Sequence, residues 1–300
     1  MELHQLRYVV AVAETGNFTR ASERCHITQP SLSQQVLNLE KELGHKLFHR
    51  LGRKAVLTEA GTTFLERARR ILFEVENASK ELKDSTSLDR RITVGAVPTV
   101  APYLIAPLVE RCRETHPNLV VHVREDFRSD LARAVLEGEL DLAVVTMPIK
   151  NHRLSIEPLL TEPLLLVVGK GHPLSGRSEV TAADLAEETF VTLGDSSTLA
   201  AQIRSFCGDN NFAPKIGYRC AQVATLKLFV AMGAGISILP KVAQLPEDRA
   251  TLTYLRLTGN APTREIVVVR HLQRYQSRGA EQFLSLLREH VSTSTSPFAP

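Results

Sequence analysis

Several features that identify common protein classes are missing from this chain. Its cysteines are widely separated and form no CxxC pair, so neither a zinc site nor a disulfide framework is indicated. They are Cys25, Cys112, Cys207 and Cys220. The ordinary interpretation of each is a small buried side chain. No apolar run approaches the roughly 20 residues that cross a bilayer, so we expect no membrane partner.

Motifs of secreted proteins and of enzymes are missing too. The N-terminal stretch MELHQLRYVVAVAETGNF carries Glu2 and Glu14 and has no small-residue cleavage site after an unbroken apolar core. It therefore indicates a helix rather than a signal peptide, and a cytoplasmic protein. The chain has no GxGxxG after a strand, no GxSxG, no GxxxxGK and no paired metal ligands at helical spacing. We expect no enzyme, no cofactor and no metal; a small-molecule enzyme or transport-type binding protein is the alternative from another class.

The overall charge does not identify a partner by itself. A formal net charge of +3 over 300 residues is too small to indicate nucleic acid, so a local basic patch must support that inference. The length allows two or three domains, and a hydrophobic fraction of 43% is typical of a soluble globular protein.

The stretch over residues 17–44 carries the most informative pattern in the chain. Two short amphipathic helices are predicted, separated by a tight polar break at residues 25–28. Thr28 can cap the second helix, and Pro30 suits its first turn. The apolar stripe of this helix is formed by Leu32, Val36, Leu39 and Leu43. Its other faces carry Gln29, Ser31, Ser33, Gln34 and Asn38. This pattern is typical of a DNA-reading helix-turn-helix, although two ordinary surface helices would also fit it.

A basic turn follows this pair of helices, between two short extended segments. Its cationic residues are Arg50, Arg53 and Lys54. Such a turn resembles the wing of a winged helix-turn-helix, which can bind phosphates and place an arginine in the minor groove. A solvated run of charges is the alternative, but the position directly after a recognition-type helix favours the wing.

A long helix is predicted over residues 58–83. Apolar and small residues recur along it at alternating three- and four-residue steps, at Leu65, Ala68, Leu72, Val75, Ser79 and Leu82. Such a heptad seam would be exposed on a solitary helix, so we expect self-association; packing on the second half of the same chain is the alternative. A dimer would bind two DNA half-sites together. A polar linker over residues 84–89 follows the helix.

The rest of the chain alternates strands and helices. Strands are predicted at 92–96, 120–124, 140–145, 164–168, 190–193, 216–219, 236–239 and 265–270. Helices are predicted at 100–115, 129–137, 199–207 and 226–232, with a further amphipathic helix near the C-terminus. This order favours a doubly wound α/β body with parallel strands, in two lobes with a cleft between them.

Two loops of this body are candidate ligand sites. The loop with Pro98 and Thr99 follows the first strand of one lobe, and the loop with Ser196, Ser197 and Thr198 opens a helix of the other. Ligands of such sheets bind where strands end and helix N-termini present free N–H groups. Their hydroxyls and amides could hold a small polar or anionic ligand; the alternative is that Thr99 and Ser197 are helix caps.

The whole chain resembles a LysR-type transcriptional regulator. The matching features are ITQPSLSQQVLNLEKELGHKLFHR, the wing, LTEAG, the long helix and a two-lobed body with GAGISILP. The resemblance implies a periplasmic-binding-protein-like effector body, promoter DNA, a small-molecule effector and RNA polymerase as partners, and a dimer of dimers. It also implies DNA contacts by Thr28, Gln29, Pro30, Ser31, Ser33 and Gln34, with Arg53 in the minor groove. Gln34 stands where many members have arginine, and glutamine favours adenine.

The resemblance also sets domain limits. It implies a DNA-binding domain over residues 1–58 and a dimerisation helix with its hinge over 59–89. The effector body then covers 90–300, with one lobe at about 90–161 and 268–291 and the other at about 162–267.

Within the family, the chain is similar to the peroxide-sensing, OxyR-like branch. The shared runs are VAVAE, CHITQPSLS, VPTVAPYL and LGDSSTLAAQIRSFC before YRC. That branch senses oxidant with a cysteine at a position held here by Thr198, and the second cysteine corresponds to Cys207. A threonine hydroxyl cannot supply a thiolate, so ligand binding is favoured. By the resemblance, Thr99 is the hydroxyl of the cleft's first loop and Arg264 is a basic residue that lines the cleft. An oxidant response by Cys207, alone or with Cys220, is the alternative.

Overall fold

The computed structural model describes residues 1–52, 54–86 and 90–293. The chain divides into two compact units, residues 1–86 and 87–300. Arg53 of the predicted wing and residues 87–89 of the predicted linker lie outside the described residues. The earlier part of that linker prediction was wrong, because the long helix continues to Thr86.

The first unit contains a helix-turn-helix followed by a hairpin and a long helix. Its elements are α1 (Leu3–Thr15), α2 (Phe18–Arg24), α3 (Gln29–Leu43), β1 (Phe48–Leu51), β2 (Lys54–Leu57) and α4 (Glu59–Thr86). Asn17 caps α2 by accepting hydrogen bonds from the N–H groups of Thr19 and Arg20. Gly44 ends α3 with a positive φ of 68°, a conformation that few other residues adopt without strain.

The predicted apolar stripe of α3 forms the centre of this unit's core. Leu32, Val36 and Leu39 are fully buried among side chains of α1, including Val9 and Val12. Glu40, also buried, accepts hydrogen bonds from the N–H groups of Leu47 (2.7 Å) and Phe48 (3.1 Å). This carboxylate fixes the start of the hairpin against α3 and so sets the position of the wing.

The heptad seam on α4 is buried only in its first half. Leu65 and Ala68 are buried, and α4 packs against α1 there. Further along, Val75 is 37% and Leu82 is 71% exposed. Val75 and Leu82 continue the spacing of the buried pair, so this half presents an exposed apolar stripe of the kind that packs against another helix.

The second unit is built on a mixed sheet. Its strands are β3 (Arg90–Ala96), β4 (Leu119–Glu125), β5 (Leu142–Thr146), β6 (Leu154–Gly169), β7 (Glu179–Val180), β8 (Thr189–Leu193), β9 (Lys215–Cys220), β10 (Ser237–Pro240), β11 (Leu252–Leu257) and β12 (Thr263–His271). The main sheet has the order β4-β3-β5-β12-β6-β11-β7, with β10 also paired to β6, and β8 pairs with β9.

The α-helices of this unit lie close to their predicted positions. They are α5 (Ala106–Thr115), α6 (Arg128–Glu137), α7 (Thr198–Asp209), α8 (Val223–Ala231) and α9 (Arg278–Thr293). The predicted helix at 100–115 differs in its first turn, because Ala101–Ile105 is a π-helix. Such wide turns are rare and are often found at functional sites.

The prediction of parallel strands is correct for part of the sheet. β3 pairs in parallel with β4 and β5, and β8 pairs in parallel with β9. The long strands β6 and β12 are antiparallel, and β12 is also antiparallel to β5. These two strands connect two separate hydrophobic cores, one from residues 92–154 and 266–291 and the other from 164–257. The unit is therefore two-lobed, as predicted.

Within the described ranges, no helix combines the length and the apolar character that crossing a bilayer requires.

Candidate functional sites

The polar face of α3 is formed as its sequence predicts. The Thr28 hydroxyl caps the helix by accepting a hydrogen bond from the Ser31 N–H at 3.4 Å, and Pro30 lies in the first turn. Thr28, Pro30, Ser31 and Gln34 are exposed, whereas Gln29 and Ser33 are half-buried. The Gln34 amide donates to the Asn38 side chain at 2.9 Å. Short polar groups on one helix face can reach base edges and phosphates of DNA.

Arg50, on the first strand of the hairpin, is held beside this face. Its Nη1 donates to the Ser33 Oγ at 2.8 Å, and its guanidinium carbon lies 4.4 Å from the centre of the Phe18 ring. A hydroxyl and an aromatic ring position the guanidinium without neutralising it, so its charge stays available to a phosphate. Lys54, at the start of β2, is exposed.

A buried ion pair lies at the junction of the two lobes. Arg264 on β12 and Glu162 on β6 are 2% and 0% exposed. The Arg264 Nη2 is 2.7 Å from the Glu162 Oε1. The same guanidinium donates to the Thr99 hydroxyl (2.8 Å) and to the Thr99 carbonyl (3.0 Å). Thr99 is thus held by Arg264 and does not cap a helix.

Glu162 extends this contact into the other lobe. Its second oxygen accepts a hydrogen bond from the Val242 N–H at 2.9 Å, just after β10. Burial lowers the pKa of Arg264, and the adjacent Glu162 opposes that effect. A series of hydrogen bonds therefore joins the ligand loop of one lobe to the backbone of the other, running from Thr99 through Arg264 and Glu162 to Val242. The charge of Arg264 is already paired with Glu162. A direct contact between Arg264 and an effector therefore stays a prediction.

The second predicted loop opens α7. Ser197 occupies the N-cap position but its side chain makes no capping hydrogen bond, and Thr198 is the first helical residue. Ser196 is exposed, and Ser197 and Thr198 are half-buried. Within the described ranges, no hydrogen bond joins these three residues to Thr99 or Arg264. Their hydroxyls make none to other described residues, so they are available to a ligand.

A second buried network lies in the lobe that contains α8. The Lys227 Nζ donates to the Asp248 Oδ2 (2.6 Å) and to the Ala243 carbonyl (2.6 Å), and the Tyr254 hydroxyl donates to the same carboxylate oxygen (2.6 Å). Burial, with the nearby Asp248, raises the pKa of Tyr103, which packs on this core from the π-helix. A cavity of about 310 Å³ beside the network is lined by Asp248 and Tyr254 but by none of the predicted effector residues.

Sequence reasoning missed Glu162 and Arg128. Arg128 directly follows the β4–α6 turn, and its Nη1 donates to the carbonyl of Thr146, the last residue of β5, at 3.3 Å. The rule that selected the loops with Thr99 and Ser197, the carboxyl end of a strand leading into a helix, applies equally to this position.

Cys207 lies on α7 in the interior of its lobe. It is 0% exposed, and burial raises the pKa of its thiol to about 11. Cys220 is buried too, and burial raises its pKa. A thiol with a raised pKa is almost fully protonated at neutral pH and is therefore a weak nucleophile.

Two family descriptions match this chain. "Bacterial regulatory helix-turn-helix protein, lysR family" matches residues 3–62, and "LysR substrate binding domain" matches residues 85–292. The hydrogen peroxide-inducible genes activator of Pectobacterium carotovorum is 34% identical over 295 residues, which is 97% of each chain. The Hca operon transcriptional activator HcaR of Escherichia coli K12 is 30% identical, over 98% of this chain and all of HcaR.

Two solved structures resemble this chain over nearly its whole length. A full-length OxyR variant from Pseudomonas aeruginosa superimposes with a TM-score of 0.68 at 26% identity, covering 97% of both chains. An OxyR variant from Corynebacterium glutamicum superimposes with a TM-score of 0.63 at 28% identity, covering 99% of this chain and 95% of that one.

Proposed function

The chain belongs to the LysR family of transcriptional regulators, and from this premise we propose how it reads DNA and what it senses. It is a DNA-binding regulator, not an enzyme. The polar face of α3 enters the major groove, with contacts from Thr28, Gln29, Pro30, Ser31, Ser33 and Gln34. The hairpin contributes Arg50, Arg53 and Lys54 to the backbone and the minor groove. The observation that supports this proposal best is the guanidinium of Arg50 beside Ser33, which no carboxylate of the described residues neutralises.

The proposal is tested with duplexes selected by the full-length protein from a random library. Gln29→Ala/Ser33→Ala removes two base-reading side chains, so specific affinity should fall at least about tenfold, since each good base contact contributes about 1–3 kcal/mol. Fluorescence anisotropy of labelled duplex measures the affinity. Gln222→Ala/Ser205→Ala, which changes the same two residue types at exposed positions of the second unit, is the control. Unchanged affinity of the first variant would refute the assignment of α3.

The effector site lies between the lobes, at Pro98 and Thr99 on one side and Ser196, Ser197 and Thr198 on the other. The free hydroxyls of the second loop and the Arg264-held backbone of the first support a small polar or anionic ligand. Arg264 acts here through Thr99, because Glu162 already pairs with its charge. Thr99→Val should remove the response of DNA affinity to an effector while leaving the DNA affinity of the free protein unchanged.

The remaining parts of the proposal concern assembly and location. The chain works in the cytoplasm as a dimer of dimers and acts on transcription through RNA polymerase. Its working domains are residues 1–58, 59–89 and 90–300, with the two lobes limited as the sequence predicts. The exposed half of the α4 seam supports the self-association.

An oxidant response through Cys207 is the second candidate. Relatives named as hydrogen peroxide-inducible genes activators favour it. The full burial of Cys207 favours the small-molecule effector instead. Thiol counting before and after mild peroxide treatment separates the two, because the thiol of Cys207 disappears in an oxidant sensor. In that case peroxide should change the DNA binding of the parent but not that of Cys207→Ser. If Cys207→Ser responds to peroxide as the parent does, this candidate fails.

A further inference from the structure

Arg128 is a cation at the edge of the sheet where the proposed effector site lies. It is the first residue of α6 and directly follows the two-residue turn that leaves β4. The strands β3, β4 and β5 run parallel, so their carboxyl ends, the Thr99 loop and Arg128 share one edge. Ligands of parallel sheets bind at this edge.

No carboxylate among the described residues pairs with Arg128. The acidic residues on either side of it are occupied by other arginines. Asp126 pairs with Arg124 at 3.0 Å, and Asp130 pairs with Arg133 at 2.6 Å. Within the described part of the chain, the one hydrogen bond of the Arg128 side chain goes to the Thr146 carbonyl. Arg128 is half-buried, and burial lowers its pKa with no opposing effect from an acid.

Backbone pairing places this cation near Thr99. Thr146 is paired with Ile266 on β12. Ile266 is two residues from Arg264, which is about 7 Å along a strand, and Arg264 holds Thr99. Arg128 and Thr99 therefore approach the same segment of β12 from the same lobe.

The two arginines differ in the state of their charge. Arg264 is fully buried against Glu162 at 2.7 Å, so the pair presents no net charge. Arg128 uses one of its five N–H groups, for the Thr146 carbonyl, and the other four make no hydrogen bond to a described residue. A half-buried guanidinium that no carboxylate pairs with can bind an anion through charge-assisted, bidentate hydrogen bonds.

We propose that Arg128 is the specificity-determining residue of the effector site and pairs with a carboxylate of the effector. The assignment rests on the proposed function, since it places this contact in the same site as Thr99. The effector is then a small carboxylate, and Arg128 rather than Arg264 supplies the positive charge of the site.

The test compares carboxylates with their uncharged amides. The full-length protein is titrated with acetate, succinate and benzoate, and with acetamide, succinamide and benzamide, at constant ionic strength. Thermal unfolding reports binding to the native state. At least one carboxylate should raise the midpoint of the parent by about 2 °C or more, while its amide does not. In Arg128→Gln the apparent affinity should be at least about tenfold weaker, as expected for the loss of a charge-assisted hydrogen bond.

Two further variants complete the design. Arg133→Gln, an exposed arginine one turn further along α6, is the matched control and should respond as the parent does. Arg128→Lys keeps the charge and should retain part of the response, which shows that any loss in Arg128→Gln does not reflect misfolding.

Three results would overturn the assignment. They are equal carboxylate responses of Arg128→Gln and the parent, no response of the parent to any carboxylate, and a response to an amide as large as that to its carboxylate. An amide response that Thr99→Val abolishes would overturn the carboxylate assignment and leave the proposed effector site intact. A carboxylate response that requires Arg128 but survives Thr99→Val would move the site away from the proposed cleft.

Discussion

At the scale of single residues, the pair Glu162–Arg264 makes the second unit sensitive to a single change. Both side chains are almost completely excluded from solvent, so each charge depends on the other. Glu162→Gln leaves Arg264 buried without a counter-charge and should lower the free energy of unfolding by about 3–5 kcal/mol. Glu162→Leu/Arg264→Met removes both charges and should cost less than the single change.

Urea unfolding of the full-length protein, followed by circular dichroism, measures these differences. Glu289→Gln breaks the pair of Arg111 with Glu289, whose side chains are 34% and 53% exposed, and is the control. An exposed pair contributes at most about 1 kcal/mol. A double variant less stable than Glu162→Gln would contradict the interpretation of the buried pair.

The lowered pKa of Asp248 predicts how the stability of the second unit depends on pH. Burial alone would raise the pKa of Asp248, but hydrogen bonds from Lys227, Tyr254 and the Leu245 N–H outweigh it and lower the pKa below its usual 3.8. A carboxylate with a lowered pKa in the folded state stabilises the fold above its unfolded pKa. That contribution is lost as the pH falls through the folded value.

Asp248→Asn should therefore be less stable than the parent at pH 7, and the difference should shrink toward pH 3. Urea midpoints measured from pH 7 to pH 3 give the two slopes. Glu247→Gln, an exposed neighbour, should leave the slope unchanged. A constant difference between Asp248→Asn and the parent would show that the carboxylate does not titrate with folding.

The residue-level chemistry could be predicted only in part from the sequence. Thr28 and Pro30 act within a few residues of their own positions, so their capping roles are visible in the local pattern. The family resemblance could place Arg264 on the lining of the cleft, but its partner Glu162 lies 102 residues earlier on another strand. Contacts of this kind depend on strand pairing, which local patterns do not specify.

At the scale of elements, the second half of α4 should be a site of self-association. Val75 and Leu82 lie on the predicted seam and remain exposed, whereas Leu65 and Ala68 are buried. Val75→Glu/Leu82→Glu places two like charges in an apolar helix contact, and it should reduce the molar mass in light scattering to that of a smaller assembly. DNA affinity should fall with it, since two half-sites are no longer bound together.

Arg70→Glu is the control for this prediction, because Arg70 is exposed on α4 away from the seam. An unchanged mass for Val75→Glu/Leu82→Glu would assign the association to another surface.

The long strand β6 shows where element prediction fails. The sequence predicts only its second half, at residues 164–168, whereas the strand begins at Leu154 and contains Pro158 and Pro163. Proline is unusual inside a central strand. In the structure, Pro158 pairs with Val267, where the register with β12 shifts between Ile266 and Val267. A bulge accommodates a residue that cannot donate to the ladder. β11 was missed as well, whereas α6, α7 and α8 were close to prediction, since their apolar spacing is regular.

At the scale of the whole molecule, one chain carries a helix-turn-helix unit of the LysR family and a two-lobed unit that we propose to be its sensor. The sensor's lobes are joined by β6, by β12 and by the hydrogen-bonded chain from Thr99 to Val242. A ligand that contacts Thr99 therefore acts on both lobes at once. A ligand shifts the balance between two conformations of the lobes only by the difference between its binding free energies for them.

Linkage then requires the effector and the DNA to influence each other equally. If a carboxylate changes duplex affinity by some factor, saturating duplex must change carboxylate affinity by the same factor, which we expect to be about fivefold or more. Anisotropy gives the first factor, and calorimetric titration with and without duplex gives the second. In Gln29→Ala/Ser33→Ala, duplex at the same concentration should leave carboxylate affinity unchanged, because little DNA is bound. Factors that differ clearly in the parent would mean that the ligand and the duplex do not act on one shared equilibrium.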